Sequence, residues 1–478
     1  MKQTSKKLLA LLLALTLVLS LAACSDKDQT QGETPTTTPA GSDDTAATSV
    51  PEADPYPAFD FGGRTIKLGV WWDYYYTSAH SDISEDAGMS NAETAQLKLD
   101  NVRRIEEKYN CRIEAVNLGW DGLQDSINTS ITAGTPECDI YLTDLQFGVP
   151  AVVNGLAQDL TKFVPETSDL YTDNEIIRPL DAFGGNYLFT TKELPLGGIY
   201  LGYNATMLQD LGLEDPQELY NKGEWTWEKF AELALAGTVD KDNDGTIDVY
   251  GYGGVSGDLI NGLVLNNGGT IAGTETEGLS SAPVTEALEF INRIFNIDKS
   301  ARPMSSDWND NMFAWVDGKV MFWTAQAWAL EQESRIAASE GNPLPFEYHI
   351  VPYPIGPSGD GNVYGPLNGN WWFVPVGVEE PEKVFQIFEE YLNWHQSVPE
   401  IRDDPNWFES AFQSAEDVEI GFMCGEKQKL DIWSYLPNFD FFGTVWYPII
   451  DSKESTVAQA VEAAKPVLQE ALDILYGN

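Results

Sequence analysis

Fifteen tryptophans are present, and several come in close pairs: Trp71-Trp72, Trp371-Trp372 and Trp225-x-Trp227. A sugar ring has an apolar C–H face and a rim of hydroxyls. A site for it needs flat aromatic platforms edged by a few placed acceptors such as Asp, Asn or Glu. Two adjacent strand residues face opposite sides, so at most one of Trp71/Trp72 and one of Trp371/Trp372 is expected to meet a ligand. Trp225 and Trp227 flank Thr226, which reads as a helix N-cap, and they are expected to be structural. Trp446 and Tyr447 are weaker candidates for lining a site. No G-x-S-x-G elbow, phosphate-binding G-x-x-x-x-G-K loop or H-E-x-x-H helix occurs. With 74 acids a pair of carboxylates is unavoidable, so counting alone leaves a glycosidase open.

A second signal is the loop "DKDNDGTIDVYG" from Asp240 to Gly251. Asp240, Asp242, Asp244 and Asp248 fall at positions 1, 3, 5 and 9 of a calcium loop, with Gly245 at 6 and the Thr246 carbonyl at 7. Position 12 is Gly251 rather than the bidentate Glu. Two readings stand: a structural calcium site, or a tight Asp/Asn/Gly turn between helix and strand. The chain requires no other cofactor. Its three histidines are far apart and no C-x-x-C spacing occurs, which argues against zinc. Cys111 and Cys138 open strand-like runs, and with Cys424 they are expected to be buried free thiols.

Lys plus Arg total 28 against 74 Asp plus Glu, a formal net charge of −46. Such a surface repels nucleic acid and anionic lipid. Hydrophobic residues make up 43%, enough for a substantial core in two or three domains. At the N-terminus Lys2, Lys6 and Lys7 precede an apolar run from Leu8 to Ala23. Sixteen residues fall short of the roughly 20 that span a bilayer, so 1–23 reads as an export signal. Leu21-Ala22-Ala23-Cys24 resembles the lipobox of bacterial lipoproteins. That resemblance implies cleavage before Cys24, acylation of its thiol, and a chain held on the outer face of the cytoplasmic membrane. Residues 24–59 are rich in Thr, Ser, Pro and acids, too poor in apolar groups to fold, and read as a tether.

From Arg64 the pattern becomes regular. "RTIKLGVWW", "CRIEAVNLG" and "CDIYLTD" read as strands. Between them run helices, one with Leu99, Val102, Ile105 and Tyr109 on a stripe, the next with Leu123, Ile127 and Ile131. Alternation of this kind predicts an α/β fold with a mostly parallel sheet flanked by helices. Ligands in such sheets sit outside the carboxyl ends of the strands. Trp71, Trp72 and Asp73, then Trp120, then Asp144 occupy those ends.

Five stretches, taken in order, resemble the extracellular solute-binding proteins of sugar ABC importers, the group that includes the maltose-binding proteins. They are "NYLFTTKELPLGGIYLGYNATMLQDLGL", "EWTWEKFAELA", "FAWVDGKVMFWTAQAW", "GNWWFVPVGVEEPEKVFQIFEEYL" and "AQAVEAAKPVLQEALDIL". Val320 departs from the family's usual Ala. The resemblance implies two α/β lobes joined by crossing strands, with the ligand in the cleft between them. One lobe is expected from 60–193 plus 322–393, the other from 194–321 plus 394–478. Trp323 and Trp328, just after the second crossover, then become ligand contacts, with Asn370 beside Trp371 and Trp372. The function implied is a monomeric receptor, not an enzyme, that delivers a carbohydrate to membrane permease subunits. An acid-edged site points to a neutral oligosaccharide. The alternatives are a surface-tethered glycoside hydrolase, or the same fold holding a peptide, a polyamine or a metal chelate.

Overall fold

The computed structural model describes residues 56–72, 76–85, 92–164, 185–189, 198–304, 308–327, 329–330, 344–367, 369–396, 398–402, 409 and 411–477. The leader, Cys24, most of the tether, Asp73 and Trp328 lie outside the described residues.

Among the described residues the strands are β1 (Arg64–Val70), β2 (Cys111–Asn117), β3 (Ile140–Thr143), β4 (Tyr200–Asn204), β5 (Tyr250–Gly253), β6 (Val320–Ala325), β7 (Tyr348–Val351), β8 (Gly365–Pro366), β9 (Trp371–Phe373) and β10 (Gln428–Lys429). They form two four-stranded sheets, ordered β2-β1-β3-β9 and β5-β6-β4-β7, with β8 and β10 paired separately. In the first sheet β1 runs parallel to β2 and β3, as the alternating pattern predicts, and β9 is antiparallel to β3. In the second sheet β5 and β6 are parallel, but β4 is antiparallel to both β6 and β7. The reversed strands β4 and β9 are those the chain enters on arriving from the other sheet. A strand delivered by a helix of the same lobe starts at the opposite edge.

The pairings correct the expected boundary at 322. Val320–Ala325 is buried at every position between β4 and β5, and Tyr348–Val351 pairs with β4. Both therefore belong to the second sheet, and within 322–393 the four-stranded first sheet takes only Trp371–Phe373. A strand hydrogen-bonded on both sides is a sheet interior, not a connection between lobes.

Helix α1 (Ala92–Tyr109) buries the predicted stripe of Leu99, Val102, Ile105 and Tyr109. Helix α2 (Gly119–Ser126) runs into a π turn over Ile127–Ile131 and buries Leu123, Ile127 and Ile131. Helix α3 (Leu145–Val153) follows β3 directly. The second part contributes α4 (Trp227–Ala236), α5 (Ser256–Asn266), α6 (Ala282–Asn292) and α7 (Trp308–Val316). Then come α8 (Pro381–Leu392), α9 (Ala415–Glu426) and α10 (Val457–Tyr476). Thr226 caps α4 through Lys229 N–H, as its position predicts.

Two buried charges tie these layers. Glu390 of α8 pairs with Arg104 and Lys108 of α1 and accepts the Tyr109 hydroxyl at 2.5 Å. Asp417 of α9 is fully buried and accepts Gln217 Nε2 (2.8 Å), Ile350 N–H (2.9 Å) and Ser414 N–H (3.1 Å), with His349 Nδ1 at 2.9 Å. A buried carboxylate persists only with such a full set of partners. Cys111, Cys138 and Cys424 are buried and free, as expected, and burial pushes each thiol up to about 12. Among the described residues no helix is long and apolar enough to cross a membrane.

Candidate functional site

The carboxyl edge of the first sheet collects most of the predicted residues. Trp71 and Trp72 follow β1, Trp120 opens α2 after β2, and Asp144 follows β3. Because β9 is antiparallel with Thr143 opposite Trp371, its first residues lie at this same edge, which sets Asn370 beside Asp144. The Thr143 hydroxyl donates to the Trp371 carbonyl at 3.2 Å and fixes that join.

The indoles form a connected set. Trp71 meets Trp72 edge-on at 4.4 Å and Trp120 edge-on at 5.3 Å, and Trp120 lies 4.7 Å from Phe147. Trp71 and Trp72 are half-buried, whereas Trp120 keeps 41% of its surface exposed. Of the three indoles Trp120 offers the most uncovered surface to a ligand. Asp144 is the N-cap of α3, accepting Gln146 N–H at 2.8 Å. Phe147, in the first turn of α3, is buried. Burial pushes the Asp144 carboxyl up despite its bonds to Gln146.

Other predicted residues are core rather than lining. Trp323, 1% exposed, stacks on Trp315 at 5.6 Å within the second sheet's core, because β6 is an interior strand. Trp371 and Trp372 are also buried, one on each face of β9, and Trp372 packs against Phe388 of α8 at 4.7 Å. The doubled tryptophans there face opposite sides as expected, yet both sides are covered. Trp225 and Trp227 are buried, consistent with a structural role; Trp446 is buried and Tyr447 exposed.

The second sheet supplies groups that the sequence reading passed over. Asp258 lies in the first turn of α5, just after β5, and accepts Gln326 Nε2 at 3.3 Å. Asn261 of the same helix accepts the Trp433 indole N–H at 2.7 Å. That bond holds the turn Trp433–Tyr435, on which α3 packs. Burial raises the Asp258 carboxyl to about 7, against the Gln326 bond and with a further push from the negative charge of Asp144. Tyr435 feels both carboxylates, and after burial they hold its hydroxyl protonated. In the second sheet Thr324 joins the Tyr252 and Tyr353 hydroxyls at 2.8 and 3.2 Å. The rule that located Asp144, a strand end followed by a helix start, would have located Asp258 had "VYGYG" been read as a strand.

The Asp240–Gly251 loop lies apart from these residues in sequence and in bonding. Asp240, Asp242 and Asp244 each bring a ligand oxygen within 4.8 Å of the others. Carboxylates also cap the loop's own N–H groups: Asp240 takes Gly245, Asp242 takes Asp244, Asp244 takes Thr246 and Asp248 takes Lys241. Gly251 belongs to β5, where a Cβ would stand 1.9 Å from the Ala234 carbonyl oxygen of α4. Sheet packing excludes the usual Glu at that position.

Two four-stranded sheets carry the fold, with indoles and Asp144 gathered at the carboxyl edge of the first, and comparison bears on the family. Comparison with curated protein sequences gives no significant match. The fold is similar to that of the ABC substrate-binding protein Lmo0181 from Listeria monocytogenes in complex with cycloalternan. The TM-score is 0.58 and the identity 14%, covering 86% of this chain and 99% of that one. It is similar also to the cyclic alpha-maltosyl-1,6-maltose binding protein from Arthrobacter globiformis, with TM-score 0.57, 15% identity and coverage of 87% and 100%. A third, UgpB from Mycobacterium tuberculosis in complex with glycerophosphocholine, gives 0.58 and 15%, covering 85% and 98%. At these identities the likeness is one of fold. The profile described as "Bacterial extracellular solute-binding protein" matches residues 101–396, more than half of the sequence. The chain belongs to the bacterial extracellular solute-binding protein family.

Proposed function

We propose that the protein is a receptor that captures a carbohydrate between its two sheets and delivers it to the permease subunits of an ABC transporter. The carrying observation is the cluster of Trp71, Trp72 and Trp120 at the carboxyl edge of the first sheet, where Asp144 and Asn370 also lie. Ring faces take the C–H side of a sugar and the carboxylate takes its hydroxyls. A carboxylate there disfavours anionic sugars. The protein acts as a monomer and releases its ligand unchanged, without turnover. It works outside the cell, held to the membrane through acylated Cys24. The test is a thermal-shift and calorimetric screen against neutral, amine-bearing and anionic saccharides, with peptides alongside. A ligand that binds only the folded state raises its melting temperature. Stabilisation by saccharides without release of cleaved sugar supports the reading. Stabilisation by peptides alone, or hydrolysis of any saccharide, overturns it.

The Asp240–Asp248 loop is assigned a structural calcium ion. In support, Asp240, Asp242 and Asp244 gather one oxygen each, and Asp240 Oδ1 is buried without a hydrogen-bond partner. Asn243 and Gly245 take left-handed conformations, with φ 59° and 91°, that turn the loop inward. The oxygens spent on the loop's own amides leave a weak site.

A further inference from the structure

A cavity of about 580 Å³ opens between the first turn of α4, one face of α6 and the first turn of α10. That volume lies in the range of small-molecule sites. The cavity shares no residue with the indole cluster of Trp71, Trp72 and Trp120. Trp227 and Phe290 form its apolar wall, stacked at 4.9 Å with 21° between the ring planes, and Pro357 and Val457 extend it.

Hydrogen-bond donors gather on one side. Trp227 is 5% exposed, and its indole N–H is buried without a hydrogen-bond partner. An indole buried in this way usually finds an acceptor, and leaving the donor unpaired is costly. Val457 and Ala458 are the first two residues of α10, a helix of 20 residues. Thr456 and Gln459 cap each other across the first turn, and Gln459 N–H is the one that Thr456 takes. The N–H groups of Val457 and Ala458 have no intrahelical acceptor. They lie at the positive end of the helix dipole, where an anionic oxygen is favoured.

Acids gather on α6. Arg293 is already held by Glu228 at 2.9 Å and by Asp298 at 3.0 Å. Glu286 spends one oxygen on Asn267 and Ser358. The Glu289 side chain is exposed and has neither hydrogen bond nor ion pair among the described residues. Three residues apart on a helix, Glu286 and Glu289 are surface neighbours. A simple anion meets these two charges and is repelled. A simple cation leaves the Trp227 N–H unpaired. A molecule carrying both charges satisfies both sides.

We infer that this cavity binds a zwitterion with an apolar body, the chemistry of an apolar amino acid or short peptide. Its carboxylate lies at the Trp227 N–H and the start of α10, its ammonium at Glu286 and Glu289, and its apolar part on Trp227 and Phe290. This is a second site, and it does not rest on the carbohydrate reading.

The experiment is calorimetry at pH 7 on the full chain with six probes: phenylalanine and trileucine, each also as its amide and as its N-acetyl form. At least one of the two zwitterions should bind about tenfold or more tightly than both of its blocked forms. Binding by phenylalanine identifies a free amino acid, and binding by trileucine alone a short peptide. Trp227→Phe keeps a ring against Phe290 and removes the N–H; it should weaken the zwitterion about tenfold, as expected for a hydrogen bond to a charged group. Glu286→Gln together with Glu289→Gln should remove the preference for the free amine over the N-acetyl form. Trp120→Ala, outside this cavity, should bind the probes as the wild type does. Blocked forms that bind as tightly as the zwitterions overturn the inference, as does failure of all six to bind, and neither result touches the carbohydrate reading. Affinity unchanged in the Trp227 and the paired glutamate variants, or lost in Trp120→Ala, overturns the placement. If Trp227→Phe does not fold, the paired glutamate variant decides.

Discussion

Truncating Trp120 and truncating Trp323 should separate ligand binding from folding. Trp120 is 41% exposed in the empty site, which for a side chain of this size leaves roughly 100 Å² of mostly apolar surface. A sugar ring covers one face, about half of that, so Trp120→Ala should cost about 1–1.5 kcal/mol of binding at 25 cal/mol per Å². That is an affinity loss of roughly tenfold. The folded state loses ring contacts to Trp71 and Phe147, worth about 0.5–1.5 kcal/mol per aromatic pair. Trp323 behaves oppositely. It is 1% exposed and stacked on Trp315, so Trp323→Ala opens a cavity and should cost about 3–5 kcal/mol of stability. The surviving folded fraction should bind normally. Urea titration measures the stability and calorimetry with the best saccharide measures the affinity. If Trp120→Ala binds within twofold of wild type while Trp323→Ala loses tenfold or more, the cleft assigned here is wrong.

Four further outcomes are expected. Asp258 is raised to about 7 in the folded chain against about 3.9 unfolded, so between these values the folded state binds more protons and stability falls as pH rises. Asp258→Asn should remove that contribution, shrinking the loss between pH 5 and 8 by about 1–2 kcal/mol after allowance for solvent screening; an unchanged slope in urea melts refutes it. Asp417→Ala strips the buried acceptor from Gln217, His349, Ile350 and Ser414; it should cost at least about 3 kcal/mol of stability and leave ligand affinity of the folded fraction intact. Ten millimolar calcium should stabilise the wild type by about 1.4–2.7 kcal/mol over chelator if the loop's Kd is about 10⁻⁴–10⁻³ M, and Asp242→Ala should lose the effect; equal shifts in both proteins remove the metal. Native protein should partition into detergent, and Cys24→Ala should not; a wild type wholly in the aqueous phase with no lipid mass on Cys24 defeats the anchor.

The local signals in the sequence were sufficient wherever a residue's role depends on its near neighbours. Leu99, Val102, Ile105 and Tyr109 at helical spacing gave α1, Thr226 gave the cap of α4, and the alternation of strands with helices gave a parallel β1-β2-β3 edge that gathers Trp71, Trp120 and Asp144. Those are consequences of backbone periodicity and capping chemistry, which act over a few residues. Trp323, Trp371 and Trp372 show where that reach ends. Whether an indole faces ligand or core depends on which strands flank its own, and β6 and β9 are paired with strands far away in the sequence, Trp323 with Gly202 and Gly253 and Trp371 with Thr143. The same holds for Gly251, whose lack of a side chain follows from the approach of Ala234, and for Asp258, whose proton affinity follows from burial and from an Asp144 carried by the other sheet. The sequence by itself determined which chemistries were available and at which strand ends. Only the tertiary structure decided which aromatics remain uncovered and which polar groups lose their water, because burial is a property of neighbours in space.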